Sequence, residues 1–326
     1  MSPLIRRRQV LWGAAALSAP WLAHAQAGWP TKPVNLIVPF PAGGGTDAFA
    51  RPMASQFSKV TGKTLVIDNR GGAGGTLGAS IAAKLPADGH NLFMGGAHHV
   101  VAPSMYPRLD YDLEKDFVPL IQVASVPQVL VVNVKRANTG SYQEFIELIR
   151  KNPGKLNYAS AGAGSVHHLA GELFKQQTKT FITHIPYRGA GPALQDLIAG
   201  NVDMNFDGLG SSAGHIKGGR IKALMVAGSK RNPAIPDVPC AAEVGLPAYD
   251  VHTWYGIWAP KGTPTDAQNA AIEAIRKACQ EPEAKAVWSS QGADFPNVSG
   301  QQFAQLIHKE IGQWAQVVKL SGAKLD

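Results

Sequence analysis

An α/β fold built on a mostly parallel sheet is what the sequence predicts, and three observations carry the expectation. Apolar runs rich in β-branched residues recur along the 326 residues, each short enough to be a strand. Segments of helical periodicity separate them, and glycine or proline follows the runs, as at βα connections. No linker of biased composition divides the chain. Two domains, the prior for roughly 300 residues, would therefore be built by a chain that crosses between them.

In order, the expected strands are 34–40, 64–68, 92–94, 129–134, 157–159, 181–187, 202–206, 223–227 and 255–259. After the first, residues 47–60 place Phe49, Met53 and Phe57 four apart, on one face of a helix. Ser141-x-x-Glu144 is a capping box for a helix reaching about residue 152, where Pro153-Gly154 stops it. A further helix runs from Val166. Thr265-x-x-Gln268 and Ser299-x-x-Gln302 open two more near the end.

Composition excludes several classes. Hydrophobic residues at 45 % and the lack of a long charged tract argue against disorder. The net charge is +8, but Arg6, Arg7 and Arg8 supply three of those charges within residues 1–25, which hold no acid. Lys217, Arg220, Lys222, Lys230 and Arg231 are spread without interleaved aromatics, so no nucleic-acid partner is expected. The three arginines precede the apolar run 10–17, the breaker Pro20 and Ala23-His24-Ala25, the layout of a secretory signal cleaved near Ala25. Arg7-Arg8-Gln9-Val10-Leu11 also resembles a twin-arginine signal, so Sec and twin-arginine export both stay open. The run is too short to span a bilayer, and no 18-residue apolar run follows it. A periplasmic protein is expected. Cys240 and Cys279 are the only cysteines, read either as a disulfide or as two separately buried thiols.

Four loops share one layout of apolar strand, small residues and helix start. They are Pro41-Ala42-Gly43-Gly44-Gly45-Thr46-Asp47, Gly71-Gly72-Ala73-Gly74-Gly75-Thr76, Ser160-Ala161-Gly162-Ala163-Gly164-Ser165 and Arg188-Gly189-Ala190-Gly191-Pro192. Glycine lets a ligand approach the backbone, and a helix N-terminus offers free N–H groups and partial positive charge. In open α/β sheets such loops line the ligand crevice, and four together point to a carboxylate-type anion site.

Competing chemistries are weaker. Gly43-Gly44-Gly45-Thr46-Asp47-Ala48 fits G-x-G-x-x-A with Asp68 downstream, but residues 39–42 intervene where a dinucleotide fold would turn at once. No Lys-Ser/Thr follows a glycine loop, which excludes a P-loop. Gly210-Ser211-Ser212-Ala213-Gly214 matches G-x-S-x-G, with Asp250 and His252 downstream. In a chain this rich in glycine, a loop before a helix near His215 is the better reading. His98-His99 and His167-His168 are not chelates by themselves, since adjacent residues do not share a face. H-E-x-x-H and C-x-x-C are absent, so no metal and no cofactor is expected.

A resemblance sharpens these expectations. The chain carries Trp29-Pro30-x-Lys32-Pro33-Val34, Pro39-Phe40-Pro41-Ala42-Gly43-Gly44-x-x-Asp47, Asp68-Asn69-Arg70-Gly71-Gly72 and Pro86-Ala87-Asp88-Gly89. Tyr111-Asp112-x-x-Lys115-Asp116-Phe117, Tyr158-Ala159-Ser160, Pro186-Tyr187-Arg188-Gly189, Ile235-Pro236-Asp237-Val238-Pro239 and Trp254-Tyr255-Gly256 follow, with Ala259-Pro260-Lys261-Gly262 near the end. In this order and spacing they resemble the Bug family, the periplasmic solute-binding proteins of tripartite tricarboxylate transporters.

The resemblance implies a type II periplasmic-binding-protein (Venus-flytrap) fold, two α/β lobes joined by two crossing segments. The lobes would be 26–124 plus 256–326, and 125–255, with crossings near 124–128 and 254–260. It also implies a non-catalytic, monomeric receptor that binds a small organic carboxylate and hands it to a membrane permease. Carried over by position, Phe40, Ala42, Gly43, Gly44 and Asp47 face Ser160, Gly162, Gly164 and Ser165 across the cleft. Tyr187 and Asp207 complete the second wall. His98 and His168 are added as side chains able to bond the ligand. Arg188 stands where lysine is common and Cys240 where threonine is usual. His98 and His99 occupy a loop where small or hydroxyl residues are usual, which bears on selectivity.

Overall fold

The computed structural model describes residues 28–136 and 139–321, so the export signal read in residues 1–25 lies outside the described residues. The chain begins β1 (Val34–Val38), α1 (Gly45–Thr61), β2 (Leu65–Asn69), α2 (Thr76–Ala83), β3 (Asn91–Gly96) and α3 (Ala97–Met105). It continues through β4 (Phe117–Asn133), α4 (Tyr142–Lys151), β5 (Asn157–Ser160), α5 (Val166–Thr178), β6 (Thr183–Pro186), α6 (Ala190–Ala199), β7 (Met204–Gly208), α7 (Leu209–Lys217) and β8 (Ile221–Val226). β9 (His252–Pro260), α8 (Thr265–Gln280), α9 (Pro282–Ser290) and α10 (Gly300–Ser321) complete the described residues. No helix among them is long and apolar enough to cross a membrane.

The strand order is β2-β1-β3-β9-β4-β7-β5-β6, with β8 also on β4. β1 runs parallel to β2 and β3, and β5 parallel to β6 and β7, as the alternating pattern predicts. The middle departs from that prediction: β3–β9, β9–β4, β4–β7 and β4–β8 are all antiparallel. β4 crosses from one sheet to the other and β9 runs beside it in the opposite direction, so their pairing is antiparallel by construction.

β4 is also longer than the predicted run 129–134, at 17 residues. Its first part pairs with β9 as far as Pro127↔His252, and from Gln128 onward it pairs with β7 and β8. Pro119, Gln122 and Pro127 hide this continuity in the sequence. The register shifts at Pro119/Ile121 and Gln122/Ala124 absorb the interruptions.

Hydrophobic periodicity places the helices. Phe49, Met53 and Phe57 of α1 are fully buried against Val34, Leu36 and Val38 of β1, each contributing on the order of 2 kcal/mol by burial. Ser141 caps α4 as expected: its Oγ accepts from the Glu144 N–H at 3.2 Å, while the Glu144 carboxylate reaches the Gly140 N–H. The box expected at Thr265 does not form, because Pro264 is the N-cap and Thr265 is already helical. Gln268 instead donates to the Thr263 carbonyl. α10 packs on α3 and α5 through Trp314 and Val318, which meet Val101, Met105 and Leu169. Cys240 and Cys279 are free and buried in separate clusters, which decides for two thiols over a disulfide.

Candidate functional site

The glycine loops of the two sheets meet face to face. A methyl group on Gly191, in the first turn of α6, would lie 3.2 Å from the Ala42 carbonyl oxygen, and one on Gly44 would lie 3.6 Å from the Gly191 nitrogen. Gly74, at φ +62°, brings the second loop to the third, where an added methyl would lie 3.2 Å from the Ala163 carbonyl. Tyr106 hydroxyl donates to the Ala73 carbonyl at 2.8 Å, with the Ala163 carbonyl 3.3 Å away. At Gly191 a Cβ would be tighter than ordinary contact, and at Gly74 the positive φ adds to the need for glycine.

Beside this seam lies a small cavity of about 20 Å³. Four helices begin at its wall: α1 with Gly45 and Thr46, α3 with His98, α5 with Val166 and His167, and α6 with Ala190. The first N–H groups of a helix have no intrahelical acceptor, and each N-terminus carries about +0.5 of an elementary charge. Among the described residues, no lysine or arginine lines the cavity. The wall thus offers positive potential and unpaired N–H groups without a fixed cation, which suits an anion held by backbone. Phe40, Thr253 and Tyr255 supply the remaining apolar and hydroxyl surface.

Several titratable groups are buried here. His98 packs edge-on to Phe40 at 4.6 Å, and its Nε2 has no partner. Burial, with His99 and His167 nearby, holds it well below the usual imidazole range. His99 accepts from the Gly96 N–H at Nδ1 and lies 3.3 Å from the Gly75 carbonyl at Nε2, so Nε2 carries the proton. Burial lowers it to about 4, and lowers His167 likewise to about 4. Behind His167, 3.5 Å from its Nδ1, lies Oδ1 of Asp207. Burial pushes that carboxyl up to about 7. Its other oxygen accepts from Ser211 Oγ at 2.7 Å.

Of the residues expected to bind the ligand, Phe40, Gly44, His98 and Ser165 line the cavity. The other predicted residues are placed around it. Ala42 and Gly43 form the seam, and Gly43 donates its N–H to Asp47 at 3.0 Å. Asp47 also accepts from Arg51 at 2.7 and 2.9 Å and from Asn69 at 3.2 Å, so its carboxylate is committed to holding this loop. Ser160 bonds His184 and the Gly162 N–H, Ser165 donates to the Gly162 carbonyl, and His168 accepts from Gly164, together fixing the third loop. Tyr187 turns its hydroxyl onto Asp196 at 2.6 Å, and burial, helped by that bond, raises it to about 12. Asp207 stands behind His167. The hydrolase candidate Ser212 is fully buried, its hydroxyl bonded to the Gly208 carbonyl.

Gly45, Thr46, Ala161, Val166, His167, Ala190, Thr253 and Tyr255 also line the cavity and were not predicted. Six of them lie within or next to the glycine loops already read, a signal that was available. Thr253 and Tyr255 come from β9, whose path past the cavity follows from its pairing with β4. At their backs Gln128 bonds Thr253, and the amide orientation that satisfies both ends also donates to the Phe206 and Asp207 carbonyls at 3.1 and 3.2 Å.

With this architecture in view, comparison with known proteins is direct. The family model described as "Tripartite tricarboxylate transporter family receptor" matches residues 49–323. The chain belongs to this family. Protein BugT of Bordetella pertussis is 35% identical over 327 residues, covering 100% of this chain and 99% of BugT. Among solved structures, Rhodopseudomonas palustris Rpa4515 with adipate superposes with a TM-score of 0.85 at 35% identity, over 91% of this chain and 100% of that one. MatC from the same organism, with bound malate, gives 0.83 at 34% identity, over 89% and 100%. The fold is the two-lobe periplasmic-binding-protein fold, and this Bug-family receptor is a solute-binding protein, not an enzyme. Its family places it in the periplasm.

Proposed function

We propose that this receptor captures a small organic carboxylate in the cavity between its lobes and delivers it to a tripartite membrane permease. The observation that carries the reading is the convergence of the α1, α3, α5 and α6 N-termini on a cavity with no lysine or arginine in its lining among the described residues. A carboxylate there exchanges water for backbone N–H donors in a low-dielectric site, where such bonds are strongest. The adipate and malate held by the two Rhodopseudomonas relatives support this chemical class. The lobes are taken as 26–124 plus 256–326 and 125–255, and the protein as a monomer exported by a signal cleaved near Ala25.

Function follows from hinge closure. The ligand contacts loops of both lobes, so it binds the closed form better and shifts the population toward it. Closing brings Ala42 and Gly44 against Gly191, giving the permease a shape that the open form lacks.

Thermal unfolding in the presence of adipate, malate and a panel of other organic acids tests the reading. A carboxylate at about 100 times its Kd raises stability by about 2.7 kcal/mol. Mass spectrometry of small molecules released on denaturing the purified protein identifies the natural cargo. Stabilisation by neutral or cationic solutes and by no carboxylate would overturn the proposal.

A further inference from the structure

We propose that His167 and Asp207 form a proton-accepting pair in the cavity wall, so that capture of a carboxylate takes up one proton from solution. The inference rests on the carboxylate reading above and assigns its regulation. His167 Nδ1 and Asp207 Oδ1 face each other at 3.5 Å, both shut off from solvent, and neither has a hydrogen-bond partner. Two orphaned polar atoms at that spacing, in a chain that satisfies Asp47 completely, call for a shared proton.

Among the described residues, no fixed charge faces the pair. From α3 His98 faces it, with His99 behind, and from β9 Tyr255 and Thr253. From α7 come the hydroxyls of Ser211 and Ser212, from the end of β7 the Gly208 N–H, and from β4 the neutral amide of Gln128. The pair therefore has two states near neutral pH, both with a neutral imidazole: uncharged with the carboxyl protonated, or −1 with the carboxyl ionised. Burial places the exchange between them near 7 in the free protein. A carboxylate entering beside His167 adds a second negative charge to a dry site and penalises the −1 state. By reciprocity, the proton then raises carboxylate affinity as much as the carboxylate raises proton affinity. Affinity is expected to be level below about pH 7 and to fall about tenfold per pH unit above it.

Calorimetric titration with adipate and with malate from about pH 6 to 9, in two buffers of different ionisation heat, reads both the slope and the proton. The expected result is uptake of one proton per ligand above about pH 7. Asp207→Asn mimics the protonated carboxyl and can donate to His167, so it should bind with no pH slope and no buffer dependence. His167→Gln, which donates to the carboxylate and favours its charged form, should move the slope to lower pH. A wild-type affinity without slope, or a slope that survives in Asp207→Asn, overturns the pair. Should neither acid bind at any pH, the carboxylate reading fails for these two, and the pair is still judged on the ligand-free protein. There the Asp207 carboxyl carbon resonance must titrate near neutrality, and its failure to do so between about pH 5 and 9 sinks the proposal.

Discussion

Two buried aspartates stand near the cavity, Asp47 in the first turn of α1 and Asp207 at the end of β7. Around Asp47 the chain supplies the Gly43 N–H, the Asn69 amide and a bidentate arginine one helical turn away. Around Asp207 it supplies the Ser211 hydroxyl at 2.7 Å, with the Ser212 hydroxyl and the Gly208 N–H also favouring the charged form, and beside Oδ1 an imidazole 3.5 Å away that burial keeps neutral. A carboxylate with a full set of donors is scaffold. One left half-satisfied in a dry wall is poised to change charge, and the molecule places it behind the wall of the proposed ligand cavity.

The largest expected effect tests the scaffold side. Asp47→Ala leaves the Gly43 N–H and the Asn69 amide without their acceptor, and should cost roughly 3 kcal/mol in urea unfolding. Arg51, 57% exposed, contributes little of that because water takes it up. A loss below about 1 kcal/mol would show that the loop holds itself.

Asp207→Asn tests the other side through pH. The folded pKa of Asp207 lies above its unfolded value, so between about 4 and 7 the folded state holds a proton that the unfolded state has lost. Wild-type stability relative to the Asn variant should therefore fall as pH rises through that window and stay level above it. His98, His99, His167 and His184 act in the opposite sense. Their folded pKa values are depressed, so the stability they confer is complete above about 6.5 and lost as pH falls toward 4. Both variant and wild type should share that acid limb, and only the difference between them isolates Asp207.

The smallest effect sharpens the contrast. Ser211→Ala removes the hydroxyl bonded to Asp207 Oδ2 and should cost about 1 kcal/mol near pH 8. It should also move the Asp207 titration upward, since a donor to the charged form is lost. The same substitution at Ser141, which caps α4 far from the cavity, should cost about 1 kcal/mol with no pH signature.

How much was legible varies by residue. The helix of Phe49, Met53 and Phe57, the Ser141 cap and the four glycine loops are local patterns, so the chain carries them openly. His167 was read only as half of a doublet. Its role depends on Asp207 arriving from β7, 40 positions later, and no spacing rule anticipates that contact.

By itself the sequence determined the nine strand positions, the main helices, the loops with room for backbone to approach backbone, and the family. These follow from side-chain periodicity and from where glycine removes a Cβ, which act over a few residues. The tertiary structure decided that β4 runs unbroken through two prolines, that the centre of the sheet is antiparallel, and that Gly44 meets Gly191. It also decided that one buried aspartate is fully bonded while the other is left to share a proton. Those outcomes depend on which distant groups reach each atom once water is excluded, and burial, not residue type, sets a carboxylate's charge.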